Sequence, residues 1–394
     1  MKRTTRRRLL AGALGGVGLT LGARMAVPWL LRRPAPTPLG AELQDFVDRL
    51  FEDLELSKVW DVHAHLVGLG EGTGAFVSPR MRSHANPMMR LQFDAYLAAA
   101  GFDEGTPDRD YLERVVRMQR LGNPAGRVLL MGFDMVVDER GEEQPGESTF
   151  HTPNDYALEA ADAYDVVEAV VSIHPYRRDA VERVDQAVAA GALAVKWLPQ
   201  SMRIDPDSAL CQPFYEALAR LDVPLISHAG EEAAVESQVG HLGSSRRLLR
   251  ALETGVRVVV AHCASLGEDE GRPAHEVFLQ MMDEPTFEGL LFGDISAMTQ
   301  VNRCEAPLLD VLRREDLHAR LLNGSDFPLP AVDPLVSTLR LAQLDYITAE
   351  ERRLCNGVFE HNPLLFDLVV KRCLRADGSA FAPATFETAQ HFSA

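Results

Sequence analysis

Polar residues able to bind a metal stand at the ends of apolar runs along this 394-residue chain. The first run, Val59-Trp60-Asp61-Val62, passes into His63-Ala64-His65. Side chains alternate faces along a strand, so His63 and His65, two apart, point the same way. Two imidazoles converging at a strand end suit a divalent metal such as zinc. Alone, the pair is weak evidence, because paired histidines also occupy solvent-facing strands. His228 ends Pro224-Leu225-Ile226-Ser227, His262 ends Val258-Val259-Val260-Ala261, Lys196 closes Ala194-Val195, and Asp326 follows Leu321-Leu322-Asn323-Gly324-Ser325. The intervals 196 to 228, 228 to 262 and 262 to 326 are 32, 34 and 64 residues, close to one, one and two strand-helix units of about 30 residues each. Core residues placed independently would not keep that interval.

Positioning these groups takes eight strands. Apolar runs at residues 59–66, 127–133, 166–173, 192–198, 223–227, 256–261, 289–296 and 321–325 alternate with helical patterns. In 178–190, for example, Val181, Val184 and Val188 repeat at helical spacing, and a second helix is expected at 245–253 before the sixth strand. Leu43, Phe46, Val47, Leu50, Phe51 and Leu54 share one face of a capping helix over 41–56. Eight strands alternating with helices predict a (β/α)8 barrel. The long connections at 67–125, 141–148 and 265–273 follow strand C-termini, the face on which such barrels keep their chemistry. Thr152-Pro153 predicts a helix start, with Thr152 as the cap.

These motifs resemble the amidohydrolase superfamily, in particular its branch whose eighth strand ends in Gly-Ser-Asp-Phe-Pro, here residues 324–328. The resemblance spans about residues 59 to 370. It implies that His63, His65, His228, His262 and Asp326 hold one or two divalent metals, and that Lys196 matches the lysine that binuclear members carboxylate to bridge two ions. A metal lowers the pKa of bound water from about 16 to about 7 and polarises the oxygen under attack, and a carboxylate such as Asp326 can take that water's proton. With two metals, His63, His65 and Asp326 hold one, His228 and His262 the other, and Lys196 bridges. With one metal, His262 becomes a proton donor and Lys196 a free amine touching substrate. The expected reaction is hydrolysis of a small-molecule amide, ester or lactone. The alternatives are a metal-dependent non-oxidative decarboxylase on the same barrel and, less favoured by the intact set of six positions, a non-catalytic binding protein.

Other polar residues are candidates of a second kind. His174, ending the third strand, and Arg177 and Arg203, on the active face, are expected to contact substrate, since arginine offers a planar donor fork to a carboxylate or phosphate. Such arginines more often pair with acidic neighbours. Asp294 either orients the site or caps its strand, and Trp197, on the face opposite Lys196, packs. His318, His361 and His391 lie away from strand ends.

Composition agrees with a soluble enzyme: 46% hydrophobic, 25% charged and 7% aromatic residues exclude collagen-like, disordered and polytopic membrane classes. Residues 1–33 carry eight Lys or Arg and no acid, leaving 32 basic against 57 acidic groups, a net of −25, on the remainder. That body repels nucleic acid. Only four residues are lysine, so Lys196 is conspicuous. The five cysteines include no close pair, which indicates neither a disulfide framework nor a thiolate zinc site. Residues 1–33 have a basic start with Thr5-Arg6-Arg7-Arg8-Leu9-Leu10 and a Gly-rich apolar stretch, and resemble a twin-arginine export signal. Arg24 interrupts the expected cleavage region, so an uncleaved N-terminal anchor is the alternative to a cleaved signal. The expected organisation is signal or anchor 1–33, linker 34–40, barrel 41–373 and tail 374–394, in a protein exported by the twin-arginine machinery to the periplasm.

Overall fold

The eight apolar runs become eight parallel strands. The computed structural model describes residues 34–101, 103–232, 239–332 and 335–392; the segment read as an export signal lies outside them. The strands are β1 (Asp61–His65), β2 (Val128–Met131), β3 (Val167–Val171), β4 (Ala194–Trp197), β5 (Leu225–His228), β6 (Val258–Ala261), β7 (Leu291–Asp294) and β8 (Leu321–Leu322). Each pairs with the next in chain order. The sheet closes where Val62 N donates to Asn323 O at 3.0 Å, Asp326 N to His63 O at 2.7 Å and His65 N to Phe327 O at 2.8 Å. Closure leaves no exposed edge along the barrel, so the chain is a (β/α)8 barrel.

Helices cover the outer face because their apolar stripes match the outward strand residues. Helix α1 (Ala41–Leu50) buries Phe46 and Val47, ending sooner than the 41–56 pattern suggested. Between β1 and β2 the chain forms α2 (Pro87–Ala100) and α3 (Asp108–Gly122), and α4 (Asn154–Ala163) follows the second connection. Pro153, rather than Thr152, holds the cap position of α4. The Thr152 hydroxyl instead donates to Leu66 O at 3.1 Å, tying the second loop to the first. The same two loops pair as strands, Phe76–Val77 against Phe150–His151. Together they roof the mouth of the barrel. Trp197 packs outward against Phe214 and Tyr215, with ring centroids 5.2 and 5.7 Å away.

Two local irregularities aim the working residues. In β1, Asp61 pairs with Val128 and Ala64 with Leu130, so three residues of β1 span two of β2. This bulge changes the face presented: Trp60 and Val62 join the barrel's inner core with Ala194, Ile226, Phe292 and Leu322, while His63 and His65 line the cavity above. At the end of β6, His262 has φ of 55°, which turns the chain so that its ring enters the mouth.

Residues 374–392 do not trail away from the barrel. Asn323 N donates to Thr385 O at 2.8 Å, Thr385 Oγ1 to His318 O at 3.0 Å and Thr388 Oγ1 to Trp60 O at 2.9 Å. Ala389 and Phe392 join Trp60 in the inner core. The expected tail is therefore a plug at the base. Among the described residues, no helix is long and apolar enough to cross a membrane.

Candidate active site

Five strand ends deliver six polar side chains to one cavity. His63 and His65 come from β1, Lys196 from β4, His228 from β5, His262 from the turn after β6, and Asp326 from the extension of β8; all line a cavity of about 280 Å³. That size admits a small molecule. His65 Nε2 lies 3.0 Å from Asp326 Oδ1, and His63 Nε2 is 3.7 Å from the same oxygen. The His63 and His262 rings stack at 4.9 Å, and His228 meets His262 edge-on at 5.3 Å. Lys196 Nζ lies 3.0 Å from His63 Nε2.

Asp294 fixes the orientation of this cluster from beneath. Its carboxylate lies 2.8 Å from His63 Nδ1 and accepts from His262 N at 3.0 Å, Ser296 N at 3.0 Å and the Ser296 hydroxyl. Ring nitrogens of His63 and His262 and an Asp294 oxygen come within 4.8 Å of one another, yet these donors already occupy the carboxylate. Asp294 is thus an orienting group that leaves His63 Nε2 facing the cavity. The Ser296 hydroxyl, 2.7 Å from His262 Nδ1, does the same for that ring.

The electrostatics favour neutral imidazoles beside ionised carboxylates. Burial holds His63 down at about 4, helped by the Lys196 charge, and holds His262 well below its ordinary value, with Arg303 next in effect. Burial likewise lowers His228. For Asp326, burial pushes upward, but the His65 hydrogen bond and nearby His63 and Arg303 outweigh it and the carboxyl stays below its usual range. Lys196 is drawn down to about 8 by burial, against the pull of Asp294 and Asp326. Neutral imidazole and carboxylate are the forms that ligate a metal.

The donor set also fits a metal. His228 Nε2 is buried without a hydrogen-bond partner, while its Nδ1 lies 3.4 Å from Glu232. A buried nitrogen left unpaired is costly. An ion in the cavity would satisfy it, and His63, His65 and Asp326 offer donor atoms within 4.8 Å of one another.

The three expected substrate contacts lie elsewhere. His174 Nε2 donates to Met202 O at 2.9 Å, and Arg177 grips both oxygens of Asp134 at 2.7 and 2.6 Å and Glu143 at 2.6 Å. Arg203 pairs with Glu147. None of the three lines the cavity, because their charges and protons are already matched within the loops. The wall instead includes Gln92 and Tyr96 from α2, Glu232, Gln300, Asn302 and Arg303. Sequence reasoning passed over these residues. Glu232 sits four residues after His228, and Gln300, Asn302 and Arg303 lie close together beyond β7, but neither spacing alone marks a site.

A family model described as amidohydrolase matches residues 60–364. No curated protein matches the chain. Among solved structures, a candidate 2-pyrone-4,6-dicarboxylic acid hydrolase from Pseudomonas putida is similar at 18% identity and TM-score 0.42, over 68% of this chain and 82% of that one. The 5-carboxyvanillate decarboxylase of Sphingomonas paucimobilis is similar at 10% identity and TM-score 0.44, over 78% and 99%. The Metarhizium anisopliae IDCase is similar at 11% identity and TM-score 0.46, over 85% and 96%.

Proposed function

Because the chain belongs to the amidohydrolase family, we propose that it is a metal-dependent hydrolase that cleaves an amide, ester or lactone bond of a small molecule. The observation that carries this reading is the convergence of His63, His65, Lys196, His228, His262 and Asp326 on one cavity. His63, His65 and Asp326 would hold one divalent ion, zinc or another, with His228 and His262 available to a second. A bound divalent ion supplies a Lewis acid and a water acidic enough to ionise near neutral pH.

The chain's own residues do the rest. Asp326, whose Oδ1 lies 3.0 Å from His65 Nε2, accepts a proton from attacking water. Asp294 and Ser296 hold His63 and His262 in register. Phe76, Phe133, Phe150, Leu329 and Leu335 wall the cavity with apolar surface, which excludes competing water. Burial brings the Lys196 ammonium down to about 8, so its free amine, the form that takes up carbon dioxide, is accessible near neutral pH. We propose that Lys196 is carboxylated, a form that would add carboxylate oxygens to the residues able to hold the metal.

Metal per chain, measured by elemental mass spectrometry on full-length protein grown with zinc and bicarbonate, tests the site. About two ions support the bridged centre; about one makes Lys196 a free amine and His262 a proton donor; none overturns the metal reading. Turnover in oxygen-18 water then tests the reaction, since label in the product marks hydrolysis. Carbon dioxide released without label replaces hydrolysis with decarboxylation. We also propose export by the twin-arginine route, supported by Arg6, Arg7 and the apolar stretch after them. Changing both arginines to lysine should hold the protein in the cytoplasm on fractionation, and unchanged location overturns this.

A further inference from the structure

Arg303 is a buried cation whose charge no neighbour neutralises at close range. It lies in the loop after β7, which Val301 N anchors by donating to Leu335 O at 2.8 Å. Its side chain reaches the cavity wall although the residue is only 6% exposed. Nη1 donates to Ser265 Oγ at 2.6 Å, and Nε is buried with no partner. Among the described residues, no carboxylate stands within ion-pair distance of it, in contrast to Arg177 and Arg203, each of which is matched. Burial lowers its pKa, opposed at longer range by Asp326, Glu232, Asp294 and Glu231.

An isolated guanidinium at this depth is expensive to keep unless a ligand supplies the missing acceptor. Two features of the cavity describe that ligand. Its wall is mainly apolar, with Phe76, Phe133, Phe150 and Leu335 on it, which suits a hydrophobic or aromatic body. Apart from Lys196, which the reading above assigns to the metal centre, its one cation is Arg303 among several acids, so a single negative charge is matched, whereas a dianion would meet repulsion from Glu232 and Asp326. We propose that Arg303 is the specificity-determining residue, binding one carboxylate of a substrate whose remaining body is apolar through the guanidinium donors that Ser265 does not occupy. This deepens the hydrolase reading above and rests on the same cavity.

Calorimetric titration of full-length protein with benzoate and with benzyl alcohol, which share a body and differ in charge, tests the assignment. Both metal-loaded and chelator-stripped protein are used, so that carboxylate bound by an ion is separated from carboxylate bound by arginine. Benzoate is expected to bind at least tenfold more tightly than benzyl alcohol in both forms. Arg303→Met should erase that preference, and Arg303→Lys should restore part of it, with metal per chain unchanged in each variant. Benzoate binding that needs the metal, or that survives Arg303→Met, overturns the proposal, as does tighter binding of phenyl phosphate. If Arg303→Met does not fold, Arg303→Gln and Arg303→Lys give the same comparison. Failure of the metal reading would appear as an empty centre with the benzoate preference intact, so the two ideas fail separately.

Discussion

Asp326 is held at φ of 61°, a left-handed conformation that costs most residues about 1–2 kcal/mol and that asparagine adopts more readily than other side chains. Asp326→Asn therefore keeps the backbone while removing the base. We expect kcat to fall by at least about 10²-fold with circular dichroism and the thermal transition unchanged; retained turnover would take Asp326 out of proton transfer. Asp294 acts one step removed, through His63 and His262. Asp294→Ala should weaken metal affinity by roughly 10- to 100-fold, read by competition with a chelating dye. Histidine and aspartate positions were legible in the sequence because each terminates an apolar run. Arg303 and Glu232 were not, since their roles depend on which loop residue faces inward, and the matched ion pairs of Arg177 and Arg203 are equally invisible without coordinates.

All eight strands were legible as elements, because a strand buried on both faces is an uninterrupted apolar run. The bulge in β1 was not: alternation alone predicts that His63 and His65 share a face, but gives no hint that Trp60 and Val62 also turn inward. That geometry depends on close contact between β8 and β1. A Cβ on Gly324 would stand 2.6 Å from His63 Cβ and 3.1 Å from His63 N. Gly324→Ala should cost about 1–3 kcal/mol in urea unfolding and lower the metal content together with it; unaltered metal content would show that the seam does not position His63. Beneath the seam, helix α5 (Pro363–Cys373) carries Asp367, whose neighbours are Lys371, 2.5 Å away, and Asp61. Burial raises Asp367 from 3.8 to about 7, despite the Lys371 charge. The folded chain thus keeps this proton where the unfolded chain releases it, a contribution present in full below about pH 4 and lost as the pH rises through about 7. Asp367→Asn should flatten the decline of melting temperature between those limits, and an unchanged slope would assign the decline to other groups.

At the scale of the whole molecule, the barrel depends on its two ends. The plug supplies Phe386 and Phe392, both buried, and partners for Asn323 N, His318 O and Trp60 O. Deleting the chain from residue 383 onward should lower stability by about 3 kcal/mol or more, taking about 1.5–3 kcal/mol for each buried phenylalanine; chemical unfolding measures it, and a smaller loss would mean that the base seals without the plug. Composition gave no sign of this segment's role, because a short run with three phenylalanines reads as a tail until something is seen to receive it. Thr388 reaches back to Trp60 across 328 positions. Since synthesis makes β8 before residue 388, the base cannot seal when β8 leaves the ribosome; it seals only once Thr388 has followed. Until then Trp60 and the inner face of β1 stay open to chaperones, and a message cut short before residue 383 yields a complete set of strands around an uncovered, adhesive floor.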